Sequence, residues 1–148
     1  MTAEYASAIV DWEYDGVYRF YNLTEDIDDL EEFLDVQNWR NYRAVVDGND
    51  HLVGFFTFFK ADKDTIEIGL GLRPDLTGRR LGRDFVITGM SYAIERYRPK
   101  GLFLSVAAFN HRAQKVYEGL GFSPVENYWE RINGQGFEFI KMMKDIET

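Results

Sequence analysis

Between Thr65 and Leu72 the chain alternates, with Ile66, Ile68, Leu70 and Leu72 on one side and Glu67, Gly69 and Gly71 on the other. That period of two predicts a β-strand with one apolar face. Upstream, the apolar runs Tyr42 to Val46 and Leu52 to Phe59 flank Asp47-Gly48-Asn49-Asp50, a turn-rich spacer that predicts a hairpin. Elsewhere the period lengthens. Tyr5, Ile9 and Trp12, spaced by four and three, predict a short amphipathic helix within Glu4 to Tyr14. After Gly16, Val17 to Leu23 reads as an aromatic-rich loop or strand. Thr24 is placed to cap a second helix running through Asp35, with Ile27, Leu30, Phe33 and Leu34 as its apolar stripe and an acidic opposite face that carries no base. A helix is predicted from about Gly82 to Tyr97, stopped by Pro99, then a strand from Leu102 to Val106. Asn110 opens a helix ending near Leu120, where Gly121 suits a left-handed cap. A last hairpin, Phe122 to Ile132 and Gly136 to Met142, turns at Asn133-Gly134. The order predicts an α/β (α+β) fold, a mixed and mostly antiparallel central sheet flanked by helices, in one domain.

Composition narrows the function. The chain of 148 residues is 45% apolar and 16% aromatic, ample for a packed core, and contains no internal repeat or linker-like tract. No apolar run has the length of a membrane span, and Glu4 and Asp11 stand where a secretory signal would be basic and then apolar, so a cytoplasmic protein without membrane contact is expected. With zero cysteines and only His51 and His111, thiolate chemistry is excluded and a catalytic metal is not expected. A net charge of -8 argues against nucleic acid and for a cationic partner.

Against this acidic background Arg73 to Arg83, RPDLTGRRLGR, concentrates four arginines and two glycines at a strand-to-helix junction. Backbone N–H groups at a helix N-terminus, the helix dipole, and glycines that admit close approach make an anion site, and arginine adds charge-assisted bonds to phosphate. The segment reads as a pyrophosphate cradle, although a charge run balanced by Asp75 and Asp84 also occurs on solvated helix faces.

Three features together resemble the GCN5-related N-acetyltransferase (GNAT) family, over Leu52 to about Met142. The family's acetyl-CoA loop, Gln/Arg-x-x-Gly-x-Gly/Ala after a strand ending hydrophobic-x-Pro, is similar to Leu72-Arg73-Pro74 followed by Thr77-Gly78-Arg79-Arg80-Leu81-Gly82. Thr77 replaces the usual Gln or Arg, and Arg80 replaces the first motif glycine, which is expected to require a negative φ at Arg80. The run from Asn110 through Ala113 to Tyr117 resembles the family's Asn-x-x-Ala-x-x-x-Tyr helix, followed by Gly121-Phe122. The strand glycines suit the bulge that family members carry beside the acetyl group. The resemblance implies a GNAT fold with acetyl-CoA as co-substrate, held by Leu70, Leu72, Thr77, Gly78, Arg79, Arg80, Leu81, Gly82, Arg83, Asn110 and Ala113. It also implies that Tyr117 faces the coenzyme's sulfur.

Glu67, on the same strand, is the candidate general base through water; a bulge would reset the face to which it points. An unperturbed Tyr117 would be a poor full proton donor to a thiolate, since phenol and thiol reference pKa values of ~10 and ~8.5 make the transfer uphill by about 2 kcal/mol, so hydrogen-bond donation is its expected role. Ala113, Val116, Tyr117 and Leu120 would equally serve as a core stripe. The acceptor is expected to be a cationic amine received by the acidic helix and the aromatic set Trp12, Tyr14 to Tyr21 and Trp39. The family's usual first strand is not expected here, since Met1 to Ala3 is too short for one, and a second subunit of a homodimer is a candidate to supply that edge. Two other readings stay open: a module that holds acetyl-CoA without transfer, and a phosphate binder unrelated to coenzyme A.

Overall fold

The computed structural model describes residues 1–78, 80–132 and 134–146. Its centre is a six-stranded sheet in the order β1-β2-β3-β4-β6-β5, formed by β1 (Tyr42–Val46), β2 (Leu52–Lys60), β3 (Thr65–Leu72), β4 (Gly101–Ala107), β5 (Ser123–Ile132) and β6 (Gln135–Asp145). Every neighbouring pair is antiparallel except β3 and β4. The helices are α1 (Ala3–Val10), α2 (Ile27–Leu34), α3 (Gly82–Tyr97) and α4 (His111–Gly119).

The alternation in β3 divides the sheet into two faces. Ile66 and Ile68 join Phe56, Phe58, Leu102, Leu104, Val106 and Met142 against Phe85, Val86, Met90 and Ala93 of α3 and Tyr117 of α4, forming the larger core. On the second face Tyr42, Phe55 and Phe59 pack with Ala6 and Ile9 of α1 and Phe33 of α2.

Local chemistry sets the element ends. Thr2 caps α1, its hydroxyl accepting from the Tyr5 N–H at 3.2 Å, and the helix ends at Val10 rather than continuing to Tyr14. Gly16–Tyr21 forms a 3-10 turn where a loop or strand was expected. Asp26, not Thr24, caps α2, its carboxylate accepting from the N–H groups of Asp28 and Asp29; the acid satisfies two of the donors that a helix start leaves orphaned. The apolar stripe expected on α2 does not face the core as a unit. Phe33 is buried, while Ile27 and Leu34 are 64% and 44% exposed. Arg98, with φ 48°, and then Pro99 end α3, and Gly121, with φ 97°, follows α4. The expected turn at Asn133-Gly134 lies partly outside the described residues.

β2 and β3 pair without a register shift from Gly54↔Leu72 to Lys60↔Ile66, so no bulge interrupts the ladder and the strand glycines have another cause. A Cβ at Gly69 would collide with the Thr57 hydroxyl, and one at Gly71 with the Phe55 ring, each the directly opposite residue on β2. The glycines accommodate cross-strand neighbours that lean over them.

Candidate active site

The opening in the sheet follows from register. β3 pairs with β4 only at Thr65↔Gly101, Ile66↔Leu102 and Glu67↔Phe103, whereas β4 continues against β6 as far as Ala107. Beyond Glu67 the two strands diverge. The Arg73 N–H donates to the Val53 carbonyl at 2.8 Å, which makes 53/73 a hydrogen-bonded pair. Alternation then makes Gly54↔Leu72 and Phe56↔Leu70 non-hydrogen-bonded pairs, so the backbone N–H and C=O of Leu70 and Leu72 point away from β2 into the gap beside β4.

A cavity of about 690 Å³ fills this gap. Its lining includes Leu70, Leu72, Thr77, Gly78, Arg80, Gly82, Arg83, Asn110, Ala113 and Tyr117. Leu81 is not among them; it is 41% exposed and serves as the residue preceding α3. Arg79 lies outside the described residues.

The loop departs from expectation at Arg80, whose φ is 62° where a negative value was anticipated; Gly78, at 75°, shares the left-handed region. Arg80 thus holds a conformation natural to glycine, at a backbone cost of about 1–2 kcal/mol. Arg73 is occupied elsewhere. It pairs with Asp75 at 2.6 Å and donates to the Leu52 carbonyl at 2.8 Å, which anchors the end of β3. The Thr77 hydroxyl donates to the Pro74 carbonyl at 2.7 Å and closes the Pro74–Leu76 turn.

Asn110 is 8% exposed and its side chain has two partners among the described residues: Oδ1 accepts from the Ala113 N–H at 3.2 Å, capping α4, and Nδ2 donates to the Tyr21 hydroxyl at 3.1 Å. Seven residues on, Tyr117 is buried, and burial raises the pKa of its phenol, with a smaller contribution from Tyr21. Among the described residues its hydroxyl has no hydrogen-bond partner, and no deeply buried polar side-chain atom is left unpaired, so the oxygen opens onto the cavity.

Glu67 is not among the residues lining the cavity. It projects from the same face of β3 as Gly69 and Gly71, half-buried, and its pKa is raised by desolvation and more weakly by Glu130, against the opposing pull of Lys141. Trp39 also stays away from the cavity, donating its indole N–H to the Phe33 carbonyl at 2.9 Å beneath α2.

Trp12, Tyr14, Tyr18 and Tyr21 of the expected aromatic set line the cavity, together with Glu13 and Arg112, which were not singled out from sequence. Glu13 and Asp15 contribute carboxylates. Arg112 sits over the Tyr18 ring at 5.1 Å, with its Nη1 3.2 Å from where a Cβ on Gly78 would lie. Its position two residues after Asn110 was the available signal. Tyr18 stacks on Tyr21 at 6.4 Å, and Tyr14 meets Tyr21 edge-on at 6.4 Å. A second cavity of about 210 Å³ shares Tyr21 and Leu23 with the first and is lined by Asp29 and Glu130. The Asp29 pKa is raised, by desolvation first and then by the surrounding carboxylates. Among the described residues no group of three or more His, Asp or Glu is placed to hold a metal ion, and no helix is long and apolar enough to cross a membrane.

The splayed strands, the glycine-containing loop at the start of α3 and the helix carrying Asn110 and Tyr117 coincide with a family-model match: residues 1–123 fit the acetyltransferase (GNAT) domain. The chain belongs to the GNAT family. It is thus an acetyl-CoA-dependent N-acetyltransferase. Solved structures share the GNAT fold. A spermidine N-acetyltransferase SpeG chimera from Vibrio cholerae and hSSAT has a TM-score of 0.79 at 20% identity, covering 98% of this chain and 92% of that one. The Vibrio cholerae spermidine N-acetyltransferase in complex with CoA and spermine gives 0.75 at 19%, covering 97% and 90%. A GNAT-family acetyltransferase from Bacillus anthracis gives 0.75 at 15%, covering 98% and 91%. No curated protein matches the sequence.

Proposed function

We propose that this GNAT enzyme acetylates a primary amine of a small polycation of the polyamine class. The observation that carries the reading is the composition of one cavity. Arg80, Arg83 and Arg112 line it together with Glu13, Asp15 and the rings of Trp12, Tyr14, Tyr18 and Tyr21. Arginines beside the start of α3 suit a diphosphate, and carboxylates with aromatic faces suit an alkylammonium chain. The adjoining cavity with Asp29 and Glu130 offers a second cationic group further negative charge. Structural neighbours whose names specify spermidine acetylation support the same acceptor class.

The residues fit acetyl-CoA: Leu70 and Leu72 would hold its arm through their backbone groups, and Gly78, Arg80, Gly82, Arg83 and Arg112 its phosphates. When bound, it supplies a thioester carbonyl open to direct attack by an amine. Ala113 keeps the wall of α4 low beside that arm. Tyr117, its proton held tightly by burial, acts as a hydrogen-bond donor toward the sulfur. Asn110 positions Tyr21 and the start of α4. Glu67, a carboxylate with raised proton affinity, takes the amine proton through water. With no cysteine in the chain, no thiol acyl-enzyme intervenes. A cytoplasmic location fits an enzyme that draws on acetyl-CoA.

The test is thiol release from acetyl-CoA by purified protein with spermidine, spermine, a diamine, a monoamine and a peptide N-terminus. Turnover should be highest with the polyamines. Preference for the monoamine or the peptide would overturn the acceptor assignment, and coenzyme A binding without thiol release from any amine would favour a non-catalytic binding module.

A further inference from the structure

Tyr14 lies on the irregular segment between α1 and the Gly16–Tyr21 turn, yet both of its ends are held. Its N–H donates to Asn22 Oδ1 at 2.7 Å, on a side chain only 8% exposed, and its hydroxyl donates to the Leu72 carbonyl at 2.8 Å. That carbonyl is one of the groups that the divergence of β3 and β4 turns into the gap. An extended ligand running along β3 in hydrogen-bond register reaches the same oxygen. On either side of Tyr14, Glu13 and Asp15 line the cavity. Burial raises the phenol's pKa, so the hydroxyl remains a donor at neutral pH.

Resting on the acetyl-CoA reading, we propose that Tyr14 is a positioning residue that holds the Leu72 carbonyl until an amide N–H of the coenzyme's pantetheine arm takes it over. The exchange releases the segment 13–15 and so links seating of the coenzyme to presentation of Glu13 and Asp15 to the acceptor amine. Tyr14 touches Tyr21 edge-on, and Tyr21 receives the Asn110 amide, so the exchange is also transmitted to the start of α4.

Two ligands separate this role from simple packing: coenzyme A, and 3′-phosphoadenosine 5′-diphosphate, which carries the same phosphates without the arm. Tyr14→Phe keeps the ring and removes the competing donor. Calorimetry should show coenzyme A binding tightened by roughly 3- to 10-fold, the size of one net hydrogen bond, with the armless ligand unchanged. An unchanged or reduced ratio of the two affinities overturns the proposal. Hydrogen–deuterium exchange on the wild-type protein provides a second readout that does not depend on the variant folding. Coenzyme A should speed exchange in the peptide covering residues 13–15 and the armless ligand should not; slowing or no difference overturns the exchange of partners. Failure of the wild type to bind coenzyme A at all is a separate result that defeats the underlying acetyl-CoA reading as well.

Discussion

The Asn110 amide donates to the Tyr21 hydroxyl at 3.1 Å across 89 positions of sequence, while its carbonyl oxygen caps α4 through the Ala113 N–H at 3.2 Å. One buried side chain therefore ties the aromatic segment to the helix that carries Tyr117. Its two bonds are separable by mutation. Asn110→Ala loses both, and the lost cap alone should lower unfolding free energy by about 1 kcal/mol. Asn110→Ser retains a capping oxygen but cannot donate an amide proton to Tyr21, so it should recover most of the stability while acetyl transfer stays impaired. Chemical denaturation and steady-state kinetics on the two variants check this.

Tyr117→Phe should lower turnover by ~10² to 10⁴ with little change in coenzyme A affinity, because the variant keeps the ring among its core neighbours and loses only the hydroxyl. Burial moves the phenol's pKa upward from its ordinary value. No alkaline loss of activity below pH ~10 should therefore trace to this residue. A pH–rate profile and calorimetric affinity for the Phe variant test the two halves.

These tests fall on residues that differ in how legible they were. The alternation of β3 and the helix from Asn110 to Tyr117 could be read from sequence because period and spacing are local properties. The opening beside Leu70 and Leu72 was implied by a family likeness, but its cause is where the β3–β4 ladder stops, a tertiary fact. The glycines of β3 suggested a bulge; what requires them is Thr57 and Phe55 on the neighbouring strand, identifiable only once that pairing is known. Arg73 belongs to the arginine-rich segment that reads as a cradle, but its partners, Asp75 and the Leu52 carbonyl, hold it at the end of β3. Tyr14, Tyr21 and Arg112 lacked a sequence signal for their partners because each contact joins segments distant along the chain. The exposure of Ile27 and Leu34 has the same root: an amphipathic pattern identifies a helix without fixing how much of its stripe the rest of the fold covers.

Glu67 supplies a test in pH. Its folded pKa is raised above the ordinary carboxylate value, chiefly by desolvation, so folding favours the neutral acid. Its unfavourable contribution to stability therefore appears as pH rises through the carboxylate range and is fully present at neutrality. Glu67→Gln should raise the melting temperature relative to wild type at pH 7, with the gain fading in acid as the wild-type carboxyl becomes protonated. If Glu67 is the base, the acid limb of kcat/KM should lie above the usual carboxylate range, with rate rising with pH through it, and the Gln variant should lose that limb. Melting curves and pH–rate profiles on the same pair of proteins separate the structural effect from the catalytic one.

Arg80→Gly should move stability and binding in opposite directions. Arg80 holds a φ of 62°, a conformation that costs an L-residue about 1–2 kcal/mol and glycine almost nothing, although glycine returns part of that gain through the greater freedom of the unfolded chain. The ligand-free variant should be more stable by about 1 kcal/mol or slightly less. The same change removes a guanidinium from the cavity wall, and a charge-assisted bond to phosphate is worth roughly 1.5–3 kcal/mol, so coenzyme A should bind about ten- to a hundredfold more weakly at low salt. Raising ionic strength should narrow that difference, since an exposed charge is screened. A variant both more stable and equally tight for coenzyme A would mean that the arginine contributes nothing to phosphate binding, leaving the backbone of the loop and the start of α3 to provide it.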